Sequence, residues 1–228
     1  RAPPRGVPFR ESPVRHPAAL IAALIAALLA FPAHAHDRNG GLEGDGQPVT
    51  ARREVPPFQA VRLATAADVS VRVGAAPAVI VTVDGNLQAH LLTEVVGGVL
   101  VLRTSRPIRS REDVRVEVTL PELRRFDLEG FGDVAIEGGS GPLDLAIEGS
   151  GELRWRGEAT ALRATIEGSG DLWLDGRAAS LRVEVEGSGD VDASRLSATD
   201  VEASVEGSGD VEVNVVGVYN CARAAVGP

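Results

Sequence analysis

The sequence predicts an all-β chain wound as a parallel β-helix, or β-solenoid, with right-handed coils of ~19–20 residues each. Three observations carry this. One phrase recurs five times, as Glu129-Gly-Phe-Gly-Asp133, Glu148-Gly-Ser-Gly-Glu152, Glu167-Gly-Ser-Gly-Asp171, Glu186-Gly-Ser-Gly-Asp190 and Glu206-Gly-Ser-Gly-Asp210. The interval between copies is constant, except that the last is longer by a single position. So regular a period means one supersecondary unit stacked on copies of itself. Apolar and polar residues alternate on both sides of the phrase, the period of a strand with one buried face. Finally, about 19 residues cannot hold a strand pair and a crossover helix, which together need roughly 30 or more.

Each unit therefore reads as strand, glycine corner, strand and second corner. Before the phrase the inward positions are Leu145/Ile147, Leu162/Ala164/Ile166, Leu181/Val183/Val185 and Val201/Ala203/Val205. After it they are Val134/Ile136, Leu153/Trp155, Leu172/Leu174, Val191/Ala193 and Val211/Val213. The corner glycines, Gly130 and Gly132, Gly149 and Gly151, Gly168 and Gly170, Gly187 and Gly189, Gly207 and Gly209, are expected to supply positive φ. Between them Ser150, Ser169, Ser188 and Ser208 should stack as a hydroxyl ladder, and Phe131 in the first copy should meet something apolar.

In-register stacking turns outward residues into columns. Asp144, Arg163, Arg182 and Glu202 form one; Glu137, Arg156, Asp175, Ser194 and Asn214 form another, and both mix signs as cross-strand pairs should. The columns flanking the corner do not mix: Glu129, Glu148, Glu167, Glu186 and Glu206 on one side, Asp133, Glu152, Asp171, Asp190 and Asp210 on the other. Like charges ~4.8 Å apart repel by about 1 kcal/mol per neighbouring pair in a water-like dielectric, so something must offset this.

Taken in order, residues 1–35 read as a secretory signal. Arg1, Arg5, Arg10 and Arg15 form a positive n-region, residues 18–31 an apolar core, and Ala33 and Ala35 an A-x-A cleavage site. That core is too short for a comfortable bilayer span, so no membrane span is expected in the mature chain. With Arg1 first and no Met, the start is expected to be incomplete or misplaced. Residues 36–48 read as a flexible glycine-rich lead-in, and 49–217 as one domain, with degenerate coils and hairpins over 49–125 and regular repeats over 126–217. Leu63, Asp68, Val69 and Val71 align with Ile166, Asp171, Leu172 and Leu174, marking a degenerate coil. Strands are expected near 78–83, 87–96, 99–103 and 114–120, with turns at Asp84-Gly-Asn86 and Gly97-Gly98 and an exposed loop over 106–113. Residues 218–228 show neither strand nor corner, suggesting an irregular cap, a truncation or a frame shift.

Several segments follow one another in a specific order: Arg53-Glu-Val-Pro-Pro-Phe58, Ala67-Asp-Val-Ser-Val-Arg-Val-Gly74, Asp84-Gly-Asn-Leu87, Gly97-Gly-Val-Leu-Val-Leu102 and Val116-Glu-Val-Thr-Leu-Pro-Glu-Leu123, ahead of the Gly-Ser-Gly corners. In this order and spacing, over roughly residues 50–217, the chain resembles the bacterial putative auto-transporter adhesin, head GIN domain family. The resemblance implies a solenoid-like domain of exported proteins and supplies no catalytic residues.

Composition narrows the function classes. The whole chain carries a formal charge of −9, and removal of residues 1–35 leaves 19 Arg against 31 acids, or −12. Such a surface disfavours nucleic acid and anionic membranes. A single cysteine, Cys221, excludes a disulfide framework and reads as incidental. Calcium could bind among Glu148, Glu167, Asp171, Glu186, Asp190, Glu206 and Asp210, since it favours several oxygen ligands. The competing reading has each Asp accept backbone N–H bonds and each Glu fan into water. Trp173 stands outward between Arg154 and Asp192, as a ligand contact or as a ring stacked on Arg154. His36, the expected mature N-terminus, has only His90 as a partner for a copper site. No distinct acid–base pair stands out, so no catalytic residue and no cofactor is assigned.

The sequence thus points to an exported, non-enzymatic module, an adhesin or envelope-interaction domain with an acidic Gly/Ser-lined ridge, in the periplasm or at the cell surface. Its expected partner is an envelope or surface protein or a polysaccharide, with self-association through an uncapped end. The alternative is a carbohydrate-active enzyme on a β-helix scaffold.

Overall fold

The computed structural model describes residues 41–224, and the side chains of residues 41–214. The strands are β1 (Leu42–Glu43), β2 (Pro48–Arg53), β3 (Ala60–Ala64), β4 (Asp68–Val73), β5 (Ala78–Asp84), β6 (Leu91–Val96), β7 (Val99–Thr104) and β8 (Ile108–Arg109). After them come β9 (Arg115–Leu120), β10 (Arg125–Gly130), β11 (Asp133–Glu137), β12 (Leu143–Gly149), β13 (Glu152–Gly168), β14 (Asp171–Gly187), β15 (Val191–Gly207) and β16 (Val211–Ala224). Strand accounts for 68% of the chain, wound into a solenoid of about five turns. Among the described residues no helix is long and apolar enough to cross a membrane. The signal segment with Ala33 and Ala35, His36 and residues 225–228 lie outside the described residues.

Each coil places one strand on each of two facing sheets, and alternation fills the space between them. On the first sheet Leu63, Leu128, Ile147, Ile166, Val185 and Val205 stand in register from coil to coil. On the second, Val69, Val134, Leu153, Leu172 and Val191 do the same. All are buried, and Ile166 and Leu153 are wholly so. Scarcity of aromatics leaves this core to branched aliphatics, with Trp155 and Phe126 its largest members. The second corner does not interrupt the ladder. From β13 to β15, each long strand runs through it and stays paired, joining the two sheets into one folded sheet.

Coil order in space departs from chain order. β3 and β4 form a coil with the alignment expected from Leu63 and Val69, and β10 and β11 pair in parallel with it. On its other side lies a coil built later in the chain, with β7 parallel to β3 and β9 parallel to β4. Beyond that coil the winding stops: β6 pairs antiparallel with β7, β5 with β9, and β2 with β5. Antiparallel strands at this end close what would be an open parallel edge.

Four expectations need correction. The lead-in is not free from Gly41 on, because β1 pairs with β8 and the Gly44 N–H donates to the Arg109 carbonyl. For the same reason the loop over 106–113 is not wholly exposed, and Ile108 is half-buried against β1. The strand expected over 87–96 begins only at Leu91, since residues 85–87 form a 3-10 turn that buries Leu87. The stretch after Val215 is no irregular tail, because β16 continues as far as Ala224, opposite Glu206. Ala193 faces Val213 at the start of that ladder, so the pairing of Glu206 with Ala224 is two positions short of the same offset. This phase slip hides the strand from the repeat period.

One outward column is also corrected. Asp175 faces Arg195, not Ser194, because a bulge takes up the extra residue of the longest interval. The Asp192 carboxylate holds the bulge, accepting the Ser194 N–H at 2.9 Å and its hydroxyl at 2.6 Å.

Candidate functional site

At the repeated corner both glycines admit the neighbouring coil closely, a Cβ on Gly168 falling 2.5 Å from the Gly149 carbonyl oxygen, and the first also needs a left-handed backbone. Gly168 has φ +126°, open only to glycine at low cost, whereas Gly170 does not have positive φ. A Cβ on Gly170 would lie 2.6 Å from the Ile147 side chain and 2.7 Å from the Gly151 carbonyl oxygen. The second glycine of each corner is thus required by close coil stacking over a buried aliphatic, which corrects the expectation of positive φ at both.

The serines do not form a hydroxyl ladder. They are exposed, and what repeats is the backbone bond from the N–H of Ser150, Ser169 and Ser188 to the carbonyls of Gly130, Gly149 and Gly168. Phe131, in the place of a corner serine, is 74% exposed.

The flanking acids stand in the expected columns, but the two sides behave differently. Asp190 and Asp171 each accept the backbone N–H of the Asp one coil further on, at 2.9 and 3.4 Å. These bonds link neighbouring coils, not the ends of a single corner. On the Glu side, Arg62 reaches Glu129 at 3.1 Å, while Glu148, Glu167 and Glu186 extend into solvent without an ion pair among the described residues. No three carboxylate, imidazole or thiol groups among the described residues come together to hold a metal ion. Glu148, Glu167, Asp171, Glu186, Asp190, Glu206 and Asp210, named as calcium candidates, stand in the two columns that flank the corner.

Elsewhere the outward charges compensate one another. Arg163 and Arg182 reach Glu184 at 3.1 and 2.8 Å, and hydrogen bonds from Arg182 first and then Arg163 hold its carboxyl below the usual range. Asp127 is buried between Arg62 at 3.3 Å and Arg125 at 2.6 Å. His90 hydrogen-bonds the Ser105 hydroxyl.

The outer face of the second sheet carries the most differentiated surface. In register across it run Glu117, Ser70, Ala135, Arg154, Trp173 and Asp192. The Arg154 guanidinium lies over the half-exposed Trp173 ring, 4.4 Å from its centroid. Small Ser70 and Ala135 leave a trough of about 360 Å³, edged by Asp68, Arg115, Glu117, Asp133 and Arg154. It continues into a smaller depression of about 110 Å³ toward Arg72, Thr119 and Glu137. Both arginines at its rim are engaged, Arg115 with Asp113 at 2.9 Å and Arg154 with Glu152 at 2.7 Å. Partial desolvation, then the neighbouring Asp133 and Asp113 carboxylates, push the Asp68 carboxyl above its ordinary value, with Arg115 opposing. A groove of about 470 Å³ on the opposite edge is lined mainly by Ser, Thr and Ala, and its one charged pair, Arg177 and Glu158, lies 3.5 Å apart. Sequence reasoning singled out Trp173 and Arg154 but missed the trough, whose only signal was a pair of small outward residues on strands distant in sequence.

The class is an all-β solenoid of stacked parallel strands, with an exposed carboxylate corner and a shallow trough edged by charged side chains. Residues 57–221 match the family described as putative auto-transporter adhesin, head GIN domain, and the chain belongs to that family. Among solved structures, a putative adhesin from Bacteroides fragilis is similar at 25% identity and a TM-score of 0.76, covering 80% of this chain and 87% of that one. A putative lipid binding protein from Parabacteroides distasonis shares the fold at 20% identity and a TM-score of 0.65, covering 81% and 95%. A putative adhesin from Parabacteroides merdae does so at 16% identity and 0.56, covering 82% and 100%. No curated protein matches the chain.

Proposed function

We propose that this chain is an exported, non-enzymatic binding module, an adhesin whose acidic Gly/Ser-lined edge meets a surface protein or polysaccharide of the envelope. The observation that carries this reading is the register of the two carboxylate columns. One shape and one charge recur at every coil, which suits an extended partner, whereas catalysis needs a constellation unlike its surroundings. Family membership and the likeness to the Bacteroides fragilis adhesin support an adhesin-like role at the surface or outside the cell. Cleavage after Ala35 belongs to the same reading, and N-terminal sequencing of exported protein tests it. So does self-association along β16, which pairs only with β15 among the described residues.

The discriminating experiment screens the chain against acidic and neutral polysaccharides and against native envelope fractions. Saturable binding with no release of reducing ends is expected; released reducing ends overturn the reading. A carbohydrate-active enzyme is favoured by one observation, the Asp68 and Asp133 carboxylates side by side with one shifted upward. In that case Asp133→Asn abolishes the release.

A further inference from the structure

We propose that copies of this chain stack head to tail, the edge of β16 in one copy meeting the edge strands β2 and β6 of the next. The inference rests on self-association along β16 and names the surface that receives it. Hydrogen-bonded neighbours run out at β2 and β6 at the capped end and at β16 at the other, each being paired on one side alone among the described residues. β2 is antiparallel to β5, and β5 to β9, so β2 runs in the direction of β9. Every later strand of the second sheet, β16 included, shares that direction with β9. Translation along the solenoid axis therefore sets β2 of one copy beside β16 of another in the parallel sense that each coil already uses. On the first sheet β6, opposite in direction to β7, offers an antiparallel edge at the same end.

Side chains on the two ends fit one another. Val49 of β2 stands opposite buried Val83, on the inner face, yet is 45% exposed. Val211 and Val213 of β16 face inward opposite Val191 and Ala193 and are only partly buried. A stacked copy covers these valines within one continued core. Val96, on β6, is 65% exposed at the capped end. On the outer face, Arg52 of β2 reaches only Glu54, at 3.6 Å, and Glu212 of β16 has no ion pair among the described residues. Charge follows the same axis, with 11 Arg against 10 acids over residues 41–125 and six Arg against 20 acids over 126–214. Two acidic ends repel one another, whereas the capped end presents Arg52 and Arg53 on its edge strand. A contact between unlike surfaces, repeated by translation, gives an open filament and not a closed pair.

The test is sedimentation velocity of the full chain over a concentration series at low ionic strength. Species that keep growing past a dimer are expected, and added salt should shorten them. Arg52→Glu and Glu212→Arg should each weaken association about tenfold. The double variant, and an equimolar mixture of the two single variants, should recover most of the loss. Glu167→Arg changes the net charge as Glu212→Arg does but lies in the middle of the stack, and should shift association less than about twofold. Thermal melts check that each variant folds. A monomer at every concentration, or a dimer that neither grows nor responds to Arg52→Glu, would overturn the contact. So would a double variant and mixture without recovery, or equal losses in Glu167→Arg and Glu212→Arg. A monomer that still binds polysaccharide or envelope fractions removes the contact and leaves the module reading standing. Assembly in the expected pattern without such binding does the reverse.

Discussion

Oδ1 of Asp190 accepts the backbone N–H of Asp210, one coil further on, at 2.9 Å. The same residue type in the same column both repels its neighbour and bonds to its backbone, so charge and acceptor contribute with opposite signs. Asp190→Ala is expected to lower stability by about 1 kcal/mol through the lost bond. Asp190→Asn keeps an acceptor and removes the like charge, so its urea midpoint should equal or exceed that of the wild type. A midpoint as low as that of the alanine variant would show that the negative charge itself stabilises the corner.

Both corner glycines are crowded by the neighbouring coil, and the first also carries positive φ. Gly168→Ala forces an alanine to φ +126°, at a cost of order 1–3 kcal/mol for the backbone, to which the approach of its methyl to the Gly149 carbonyl oxygen adds. Gly170→Ala drives a methyl into the Ile147 side chain and the Gly151 carbonyl. It should cost about as much again, and in the double variant Gly170→Ala/Ile147→Ala the total should fall short of the sum of the two single changes, because Ile147→Ala removes the Cγ2 that the new methyl meets. Full additivity of those two changes in denaturant titrations would defeat the stacking explanation.

Ile166 is wholly buried between Ile147 and Val185 in the central column. Ile166→Asp should cost several kcal/mol by burying a carboxylate without a partner. A near-unchanged melting temperature would contradict the burial.

The pH dependence has two signs. The Asp192 carboxyl is depressed, first by the Ser194 hydroxyl and then by its N–H, and Glu184 is depressed by Arg182 and Arg163. Depressed carboxyls contribute stability that is present above their unfolded pKa and is lost as pH falls through the folded one. Asp68 is raised, so it subtracts stability at neutral pH, and that penalty fades as pH falls through its raised value toward the unfolded one. Asp68→Asn should therefore raise the urea midpoint at neutral pH, and Asp192→Asn should lower it. Both should approach the wild type in acid, where the carboxyls are protonated. Parallel midpoint curves down to strong acid would refute these assignments.

Much of the fold was legible because one short, regular period constrains every coil at once. Leu63 could be matched to Ile166 from sequence, and Trp155 placed inside by alternation. The exceptions arose where the period breaks. The Ser194 bulge and the shortened offset opposite β16 each shift the register slightly, and such a slip can reverse the face a side chain points to without leaving a local mark. Of the candidate site, the acidic columns and the Arg154–Trp173 stack were readable, since both lie in the regular repeats.

By itself the sequence determined the coil length, the inward columns and the line of acidic corners, because these follow from alternation and spacing along the chain. Tertiary structure decided which coils are neighbours. Only pairing of β7 with β3 and β9 with β4 brings Arg115 and Glu117 beside Asp68 and Ser70, and only β4 against β11 sets Asp133 and Ala135 next to them. Those partners lie far apart along the chain, and nothing local encodes their contact. Hydrogen-bonded register across the folded sheet does, because one ladder fixes the position of every side chain on the face it carries.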